Sequence, residues 1–210
     1  MTHCPLCHSR AEEYHQDRRR VYFQCTNCRL VFVSSDAFLS AEAEKATYDL
    51  HQNSPDDAGY RAFLARMCRP LAKRLSAGSH GLDFGCGPGP TLSVMFAELG
   101  YPMAIYDPFY APDESVLEKV YDFVTTTEVV EHLRNPAQSL AQIWRCVKPG
   151  GYLGIMTKLV IDRAAFATWH YKNDDTHICF FSRKTLGWLA REWGAAPLFV
   201  GADITIFQKV

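Results

Sequence analysis

Two pairs of cysteines near the start of the sequence have the spacing of a metal site. Cys4 and Cys7 form one C-x-x-C pair, and Cys25 and Cys28 form another, with 17 residues between the pairs. Each pair places two thiolates on one turn, and two such turns can close a tetrahedral Cys4 site around Zn²⁺. A closed site offers no open position to a substrate, so the spacing predicts a structural zinc ribbon.

Two other interpretations of these cysteines are weaker. Thioredoxin-like redox pairs sit in a βαβ unit, which the sequence around these pairs does not predict. His3 and His8 flank the first pair and are alternative ligands, although exposed loop histidines are the simpler interpretation. The remaining cysteines are scattered, and we expect them to be small buried apolar residues: Cys68, Cys86, Cys146 and Cys179.

A glycine-rich stretch, Gly81 to Pro90, could hold a ligand with polar or anionic groups. Its sequence GLDFGCGPGP begins as a short apolar strand and places glycines at 85, 87 and 89, and Thr91 to Leu99 is then predicted to be a helix. Glycine allows positive φ angles and close approach of backbone N–H groups, and a helix N-terminus adds partial positive charge. Asp107 follows a second predicted strand, Pro102 to Tyr106, where an acid could reach a ribose.

The spacing of the glycines separates this loop from dinucleotide sites. The pattern G-x-G-x-x-G is typical of those sites, whereas the third glycine here comes one residue early. A nicotinamide-dependent oxidoreductase is therefore a distant alternative.

Four successive motifs resemble those of class I S-adenosylmethionine-dependent methyltransferases. They are the DFGCGPG loop, the acid within Ile105 to Pro108, the segment Tyr121 to Leu133 with sequence YDFVTTTEVVEHL, and the turn Val147 to Gly151. The resemblance covers residues 75–210 and is closest to small bacterial enzymes of the ubiquinone-biosynthesis type. It implies S-adenosylmethionine as the cofactor. It also implies an α/β, Rossmann-like fold whose sheet is mostly parallel, with an antiparallel C-terminal strand.

One segment departs from this family. Its members place a third strand between the motifs that lie here at Asp107 and Tyr121, and that strand ends in an acid near the adenine amine. Only residues 108–120 are available for it, and Asp113 to Lys119 is predicted to be a short helix. We therefore expect the third strand to be missing or short. A backbone group or an apolar side chain near Phe109 would then contact the adenine in place of the acid.

The resemblance also implies where the cofactor lies. The glycine loop would contact its methionine part, Asp83 its amino group and Asp107 its ribose, while the end of the strand at 121–126 borders the cleft. The cofactor-binding residues implied in this way are Asp83, Gly85, Cys86, Gly87, Gly89, Asp107, Thr126, Thr127 and Glu128.

Residues 158–181 are expected to form the wall that faces the methyl acceptor. This insertion is dense in aromatic and titratable side chains, and the resembling enzymes build their acceptor pocket at this place. A histidine could take a proton from a hydroxyl or ammonium acceptor near neutral pH, and His177 is the first choice and His132 the second. The other acceptor-side residues are Tyr60, Trp169, Tyr171 and Asp175, with His170 and Asp174 beside them. Packing, capping or locking of a loop is the alternative role of each.

Three units are expected to position these residues. They are the zinc ribbon at 1–35, a helical lid or linker at 36–76, and the Rossmann-like domain at 77–210, which contains the insertion. The resembling enzymes lay N-terminal helices over the cofactor cleft. Lid residues that could contact cofactor or substrate are therefore Tyr48, His51, Asn53 and Tyr60.

Capping residues and apolar spacing predict the helix and strand bounds. Ser35 and Asp36 are expected to cap a helix that runs to Leu50, and Asp56 or Asp57 a second helix that ends near Leu75. Ser182 is predicted to cap a third helix, and two antiparallel strands should follow it. The sequence Lys148-Pro-Gly-Gly151 predicts a turn.

The composition excludes some classes of protein and leaves others open. The net charge of −1 does not favour nucleic acid in general, and no run of 18 apolar residues could span a membrane. The first residues lack the features of a signal peptide, so we expect a cytoplasmic protein. Arg18, Arg19 and Arg20, with Arg29, are either a solvated turn or a basic docking patch.

Three functions therefore remain open. Methyl transfer to a small molecule is favoured by the aromatic insertion. An RNA or protein methyltransferase docked through the zinc ribbon is the second hypothesis, and a scaffold that binds S-adenosylmethionine without catalysis is the third. The identity of the acceptor and the oligomeric state are not encoded in any motif.

Overall fold

The computed structural model of the protein describes residues 2–50 and 53–210. His51, one of the expected lid residues, lies outside the described residues. Within them, we find no helix with the length and apolar character needed to cross a bilayer.

The described residues form a small sheet at the N-terminus and a larger central sheet with helices around it. The strands are β1 (Ala11–Gln16), β2 (Val21–Cys25), β3 (Val31–Val33), β4 (Gly81–Phe84), β5 (Met103–Tyr106), β6 (Tyr121–Thr127), β7 (Val147–Met156), β8 (Cys179–Phe180), β9 (Pro197–Val200) and β10 (Ile204–Gln208). The helices are α1 (Ala41–Tyr48), α2 (Ala58–Ala72), α3 (Thr91–Glu98), α4 (Pro136–Arg145), α5 (Arg163–Ala167) and α6 (Arg183–Glu192).

The central sheet has the predicted Rossmann-like order. Its strands lie in the order β5-β4-β6-β7-β10-β9. The first four are parallel, and β10 runs antiparallel to both β7 and β9. The mostly parallel sheet with its antiparallel C-terminal strand is therefore confirmed. Between β5 and β6 the chain makes an isolated bridge and a 3₁₀ helix, Glu114–Glu118, so β5 is an edge strand and the third strand of the family is missing.

Helices cover both faces of this sheet. Phe123 packs with Met67 of α2 and Phe96 of α3, whereas its neighbour Val124 belongs to the core on the opposite face, with Ile143 of α4. Successive side chains of a strand point to opposite faces, so one strand contributes to both layers. Both faces of the parallel strands are consequently apolar, as such sheets require.

The N-terminal ribbon continues into the insertion at 158–181. A second sheet has the order β1-β2-β3-β8, and its last strand, β8, comes from the insertion. Val31 pairs with Phe180, and Phe32 with Cys179. The insertion also contains α5, whose Phe166 ring lies 5.1–5.4 Å, between centroids, from the rings of Tyr14, Tyr22 and Phe180. The ribbon and the insertion therefore share one sheet and one aromatic core.

Arg20 joins the ribbon to the loop that precedes β8. Its guanidinium is buried and donates to four backbone carbonyls, of Lys172, Asp174, Asp175 and His177. Arg19 donates to the Asn173 carbonyl and pairs with the Asp175 carboxylate. These carbonyls face inward because Arg20 supplies the donors that buried acceptors require.

Two local predictions were wrong in detail. The first lid helix does not begin behind Ser35 and Asp36, which lie in a 3₁₀ helix, Ser35–Ala37. It begins at Ala41, where the Ser40 hydroxyl accepts from the Ala43 N–H. Lys148-Pro-Gly-Gly151 is not a turn before the strand. β7 begins at Val147 and runs through it, with an irregular register against β6.

Other local predictions were confirmed. Asp57 caps α2, and Ser182 caps α6, whose Leu186 and Leu189 are buried. The capping residues act as expected because each side-chain oxygen accepts a backbone N–H of the first helical turn.

We expect Arg20→Ala to destabilise the protein by about 2–4 kcal/mol, because it would leave several buried carbonyls without a donor. Urea denaturation followed by circular dichroism measures this change. The exposed Arg18→Ala variant removes the same charge from the same turn, and we expect it to change stability by less than about 0.5 kcal/mol. Equal effects of the two variants would contradict the role of Arg20.

Candidate active site

The glycine loop after β4 has a conformation that only glycine adopts easily. Gly85 and Gly87 have φ angles of 81° and 64°. A Cβ on Gly85 would lie 2.4 Å from Val129 Cγ2, and the Gly85 N–H donates to the Tyr106 carbonyl at 2.7 Å. The loop is thus held against the end of β5, and its glycines carry no side chains of their own between the backbone N–H groups and a ligand.

The segment before α2 lies on this loop. A Cβ on Gly89 would lie 1.6 Å from the Asn53 carbonyl oxygen, so the third glycine is required by contact with the lid. Tyr60, in the first turns of α2, is half-buried. Burial, with Asp83 and Glu128 nearby, raises the pKa of its hydroxyl to about 12. Asn53 and Tyr60 therefore lie beside the glycine loop, and their contact with a cofactor or substrate stays a prediction.

Asp107 shapes the loop as well as bordering it. One carboxylate oxygen accepts the Gly87 N–H at 3.0 Å, and the other accepts the N–H groups of Phe109 and Tyr110 at 2.9 and 3.1 Å. A carboxylate has about four lone-pair positions, so room for about one further donor remains. Asp107 can hold one hydroxyl of a ribose while it fixes the backbone on both sides of the cleft.

Asp83 is a buried carboxylic acid at the end of β4. Its oxygen accepts from the Thr125 hydroxyl at 2.7 Å. Burial, followed by the nearby Asp107 charge, raises its pKa to about 6. A bound ammonium group would favour the ionised form and would reverse this shift. Asp83 therefore fits the position of a partner for a cationic ligand group.

Unpartnered polar atoms gather where β6 ends. The hydroxyls of Thr126 and Thr127 and one oxygen of Glu128 are buried and have no hydrogen-bond partner among the described residues. Glu128 also has a positive φ of 52°, a conformation that a non-glycine residue adopts at a cost. Buried polar groups are normally satisfied, so these atoms fit a site that a polar ligand completes.

An acid–histidine cluster, formed by Glu128, Glu131, His132, Tyr171 and His177, follows directly. The Tyr171 hydroxyl donates to Glu131 and lies 3.3 Å from Glu128. The two histidine rings are 4.7 Å apart between centroids. Burial, followed by the neighbouring His132, lowers the pKa of His177 to about 4, so its ring is neutral at pH 7. Burial raises the pKa values of both glutamates.

The structure divides the acceptor-side residues predicted from the sequence. Tyr171 and His177 join His132 in the cluster, and Trp169 stacks beside Tyr171 with 5.0 Å between ring centroids. Asp175 lies elsewhere, with its carboxylate paired to Arg19 on the ribbon. His170 is exposed, and Asp174 caps the Thr176 backbone at 2.9 Å.

From the sequence, Glu131 is expected only to support the fold or to line the cleft beside His132, as the family resemblance implies, and Lys158 is given no role. Glu131 is fully buried within the cluster, and the Lys158 ammonium lies 5.1 Å from the centre of the Tyr171 ring. The signal that could have found Glu131 is the spacing E-x-x-E-H from Glu128 to His132, which places both acids on one turn at the end of a strand.

A groove of about 1030 Å³ lies between the ribbon and the loops after β7. Its lining includes Tyr14 and Arg29 from the ribbon and Lys158, Trp169 and Asp203 from the central domain. Lys158 and Trp169 also touch Tyr171, so the groove ends beside the acid–histidine cluster.

The four ribbon cysteines form a second cluster of ligand groups. Their sulfurs all lie within 4.8 Å of one another, with Cys4 and Cys28 at 3.5 Å and Cys7 and Cys25 at 3.3 Å. A tetrahedral Zn–S bond of about 2.3 Å implies sulfur separations of about 3.8 Å. Three backbone N–H groups, of Leu6, Asn27 and Cys28, point at these sulfurs at 3.4 Å. The donor set therefore fits Zn²⁺.

The two cysteine turns also share a backbone shape. The residue after each pair has a positive φ, 58° at His8 and 64° at Arg29.

Comparison with known proteins identifies the family. A family model described as "Methyltransferase domain" matches residues 57–198, which include the glycine loop and the acid–histidine cluster. No curated protein sequence matches the chain.

Solved structures share the fold. The 1,6-didemethyltoxoflavin-N1-methyltransferase of Burkholderia thailandensis, solved with 1,6-didemethyltoxoflavin and S-adenosylhomocysteine, is 17% identical, with 95% of this chain and 100% of that one covered and a TM-score of 0.55. The magnesium protoporphyrin IX methyltransferase of Synechocystis PCC 6803, with bound S-adenosylhomocysteine, is 12% identical. The match covers 72% of this chain and 84% of that one, with a TM-score of 0.53.

We expect Asp83→Asn to stabilise the ligand-free protein at pH 8 relative to pH 5. A buried acid with a raised pKa favours the folded state below its ordinary pKa, and this contribution is lost as pH rises through about 6. For a shift of about two units, the ionisation cost at pH 8 is of order 3 kcal/mol, and roughly half of it arises between pH 5 and pH 8 because pH 5 already lies above the ordinary pKa. Asparagine has no ionisation cost at either pH.

Urea denaturation of both proteins at the two pH values tests this expectation. The free energy of unfolding of the variant, relative to wild type, should rise between pH 5 and pH 8. A difference that does not depend on pH would contradict the buried, protonated state of Asp83.

Proposed function

We propose that this chain, which belongs to the methyltransferase domain family, transfers the methyl group of S-adenosylmethionine to a small-molecule acceptor. The observation that carries the proposal is the acid–histidine cluster. It lies at the carboxyl end of β6, at the same edge of the sheet as the glycine loop, and its Tyr171 contacts Lys158 and Trp169, which line a groove of small-molecule size.

The residues around the glycine loop fit S-adenosylmethionine. When bound, this cofactor supplies a methyl group that its sulfonium charge already activates. We assign the backbone of Gly85, Gly87 and Gly89, with Cys86 between them, to its methionine part. Asp83 accepts its ammonium group and Asp107 holds a ribose hydroxyl. Thr126, Thr127 and Glu128 supply the polar border whose buried atoms lack partners among the described residues.

The acceptor side is built from the insertion. Trp169 offers an aromatic face and Lys158 a positive charge in the groove, and both contact the buried Tyr171 of the cluster. We assign this wall to an acceptor with an aromatic or conjugated ring and oxygen atoms, positioned in the groove beside the cluster. Positioning of this kind is the main contribution that a protein makes to methyl transfer.

The histidine base predicted from the sequence stays a prediction. With a pKa of about 4, His177 is neutral at pH 7 and its lone pair can bind a proton or another electron-poor centre. His132 stands beside it with its Nδ1 3.0 Å from the Thr176 carbonyl. Either ring could act as a base only when the bound acceptor lies next to it.

The contacts of Arg19 and Arg20 favour a small molecule over a docked RNA. Both arginines of this basic turn bind the loop at 172–177 of the same chain, so the patch available to a phosphate backbone is reduced to Arg18 and Arg29. We propose zinc at the four ribbon cysteines, with a structural role. The ubiquinone-type subgroup and the cytoplasmic location stay predictions from the sequence.

Calorimetric titration with S-adenosylmethionine and S-adenosylhomocysteine tests the proposal. We expect a micromolar dissociation constant for the wild type and a loss of at least about tenfold in Asp107→Asn, whose amide nitrogen cannot accept a hydrogen bond. Asp113→Asn is the matched control, because this exposed carboxylate also accepts a backbone N–H, from Ser115, but lies away from the loop.

Transfer of a labelled methyl group to a pool of small aromatic hydroxy compounds then identifies the acceptor class. Failure of the zinc-loaded wild type to bind either cofactor form would overturn the proposed function. Binding without transfer to any small molecule would favour the scaffold hypothesis.

A further inference from the structure

Glu131 is a buried carboxylate with an unused oxygen. Its side chain is fully buried. One oxygen accepts from the Tyr171 hydroxyl, and the other, Oε2, has no hydrogen-bond partner among the described residues. A buried polar atom without a partner costs free energy, and such an atom in a native structure calls for an explanation.

The two histidines of the cluster are oriented by backbone carbonyls. His132 Nδ1 lies 3.0 Å from the Thr176 oxygen, and His177 Nδ1 lies 2.7 Å from the Tyr171 oxygen. A ring nitrogen that donates to a carbonyl leaves the other nitrogen in the acceptor state, and metal-ligating histidines typically show this arrangement. Ring orientation is thereby fixed by segments on both sides of the cluster.

The ligand atoms converge. One ligand atom each from Glu131, His132 and His177 lies within 4.8 Å of the other two. Ligand bonds of about 2.0–2.2 Å to a divalent ion require separations of about 3–4 Å, which small side-chain rotations provide. The 3₁₀ helix Val130–His132 holds two of these residues, and the Ile178 N–H donates to the Glu131 carbonyl at 2.8 Å, so the third residue is tied to the same turn.

We propose that Glu131, His132 and His177 bind a divalent first-row metal ion, separate from the ribbon zinc, that positions the methyl acceptor. The proposal rests on the proposed function, since it names what holds the acceptor at that site. Two histidines and one carboxylate leave coordination positions open, and such sets bind Mn²⁺, Fe²⁺ or Zn²⁺. The open positions suit an acceptor with two adjacent oxygen atoms, such as a vicinal diol or a catechol.

Charge in the cluster agrees with a cation. Glu128 and Glu131 bring two carboxylates to one buried turn, and Tyr171 bridges them. Lys158 lies near Glu128 and Arg20 near His177, but neither ammonium nor guanidinium hydrogen-bonds to Glu131 among the described contacts. A divalent ion would neutralise the carboxylates and would satisfy Glu131 Oε2.

A metal ion changes how the acceptor loses its proton. A hydroxyl bound to a divalent cation has a lowered pKa and releases its proton to water. The oxygen lone pair then forms the bond to the methyl carbon, the carbon–sulfur bond breaks, and its electron pair stays on sulfur. S-adenosylmethionine becomes neutral S-adenosylhomocysteine, the acceptor becomes a methyl ether, and one proton is released. In this arrangement the histidines are ligands, and the histidine base predicted from the sequence is not needed.

Electron paramagnetic resonance of free Mn²⁺ tests the site directly. Protein that holds one zinc ion per chain, so that the thiolate site is filled and the second site is free of zinc, is titrated with Mn²⁺. Mn²⁺ does not displace zinc from thiolates because it binds soft ligands more weakly. We expect one Mn²⁺ per chain, and a loss of affinity of at least about tenfold in Glu131→Gln and in His132→Asn. Glu114→Gln, an exposed acid outside the cluster, should bind as the wild type does.

Zinc content by mass spectrometry and calorimetry with S-adenosylhomocysteine accompany each titration, so a misfolded variant is recognised. Absence of stoichiometric Mn²⁺ binding in wild-type protein that binds S-adenosylhomocysteine would overturn the metal site and leave the proposed function standing. Equal Mn²⁺ affinity in wild type and both variants would overturn it as well. Mn²⁺ binding that depends on Glu131, in protein that binds no cofactor, would support the metal site while the methyltransferase proposal fails.

Discussion

The buried guanidinium of Arg20 is the contact on which the acceptor side of this protein depends. Four carbonyls of residues 172–177 turn toward it, and a buried cation of this kind is tolerated only because each donor finds an acceptor. Lys172 makes a contact in the opposite direction, from the loop to the ribbon: its buried ammonium pairs with the Asp17 carboxylate at 2.6 Å. The ribbon and this loop therefore stabilise each other.

The ribbon therefore supports the active site structurally, although it contributes no reacting group. The acid–histidine cluster is assembled from two places, the turn after β6 and the loop at 172–177, and only the first belongs to the central sheet. The position of His177 relative to Glu131 and His132 is set by β8, which pairs with β3. A Cys4 site that orders a small sheet can thus fix an active-site loop about 150 residues away along the chain.

The sequence predicted the central sheet, the missing third strand, the glycine loop and the caps at Asp57 and Ser182, because local spacing and turn chemistry encode them. It did not predict that Cys179 and Phe180 extend the ribbon sheet, since pairing between distant segments leaves no local pattern. Arg20 looked like part of a solvated basic turn for the same reason. Glu131 was expected only to support the fold or to line the cleft, because burial without a partner is visible only in three dimensions.

Hydrogen–deuterium exchange of zinc-loaded and zinc-depleted protein tests most directly the claim that the ribbon holds the loop at 172–177. We expect zinc removal to accelerate amide exchange in β1 to β3 and in residues 172–181, while the amides of β4, β6 and β7 keep their protection. Unchanged protection of residues 172–181 after zinc loss would contradict it, because the loop would then be ordered by the central domain alone.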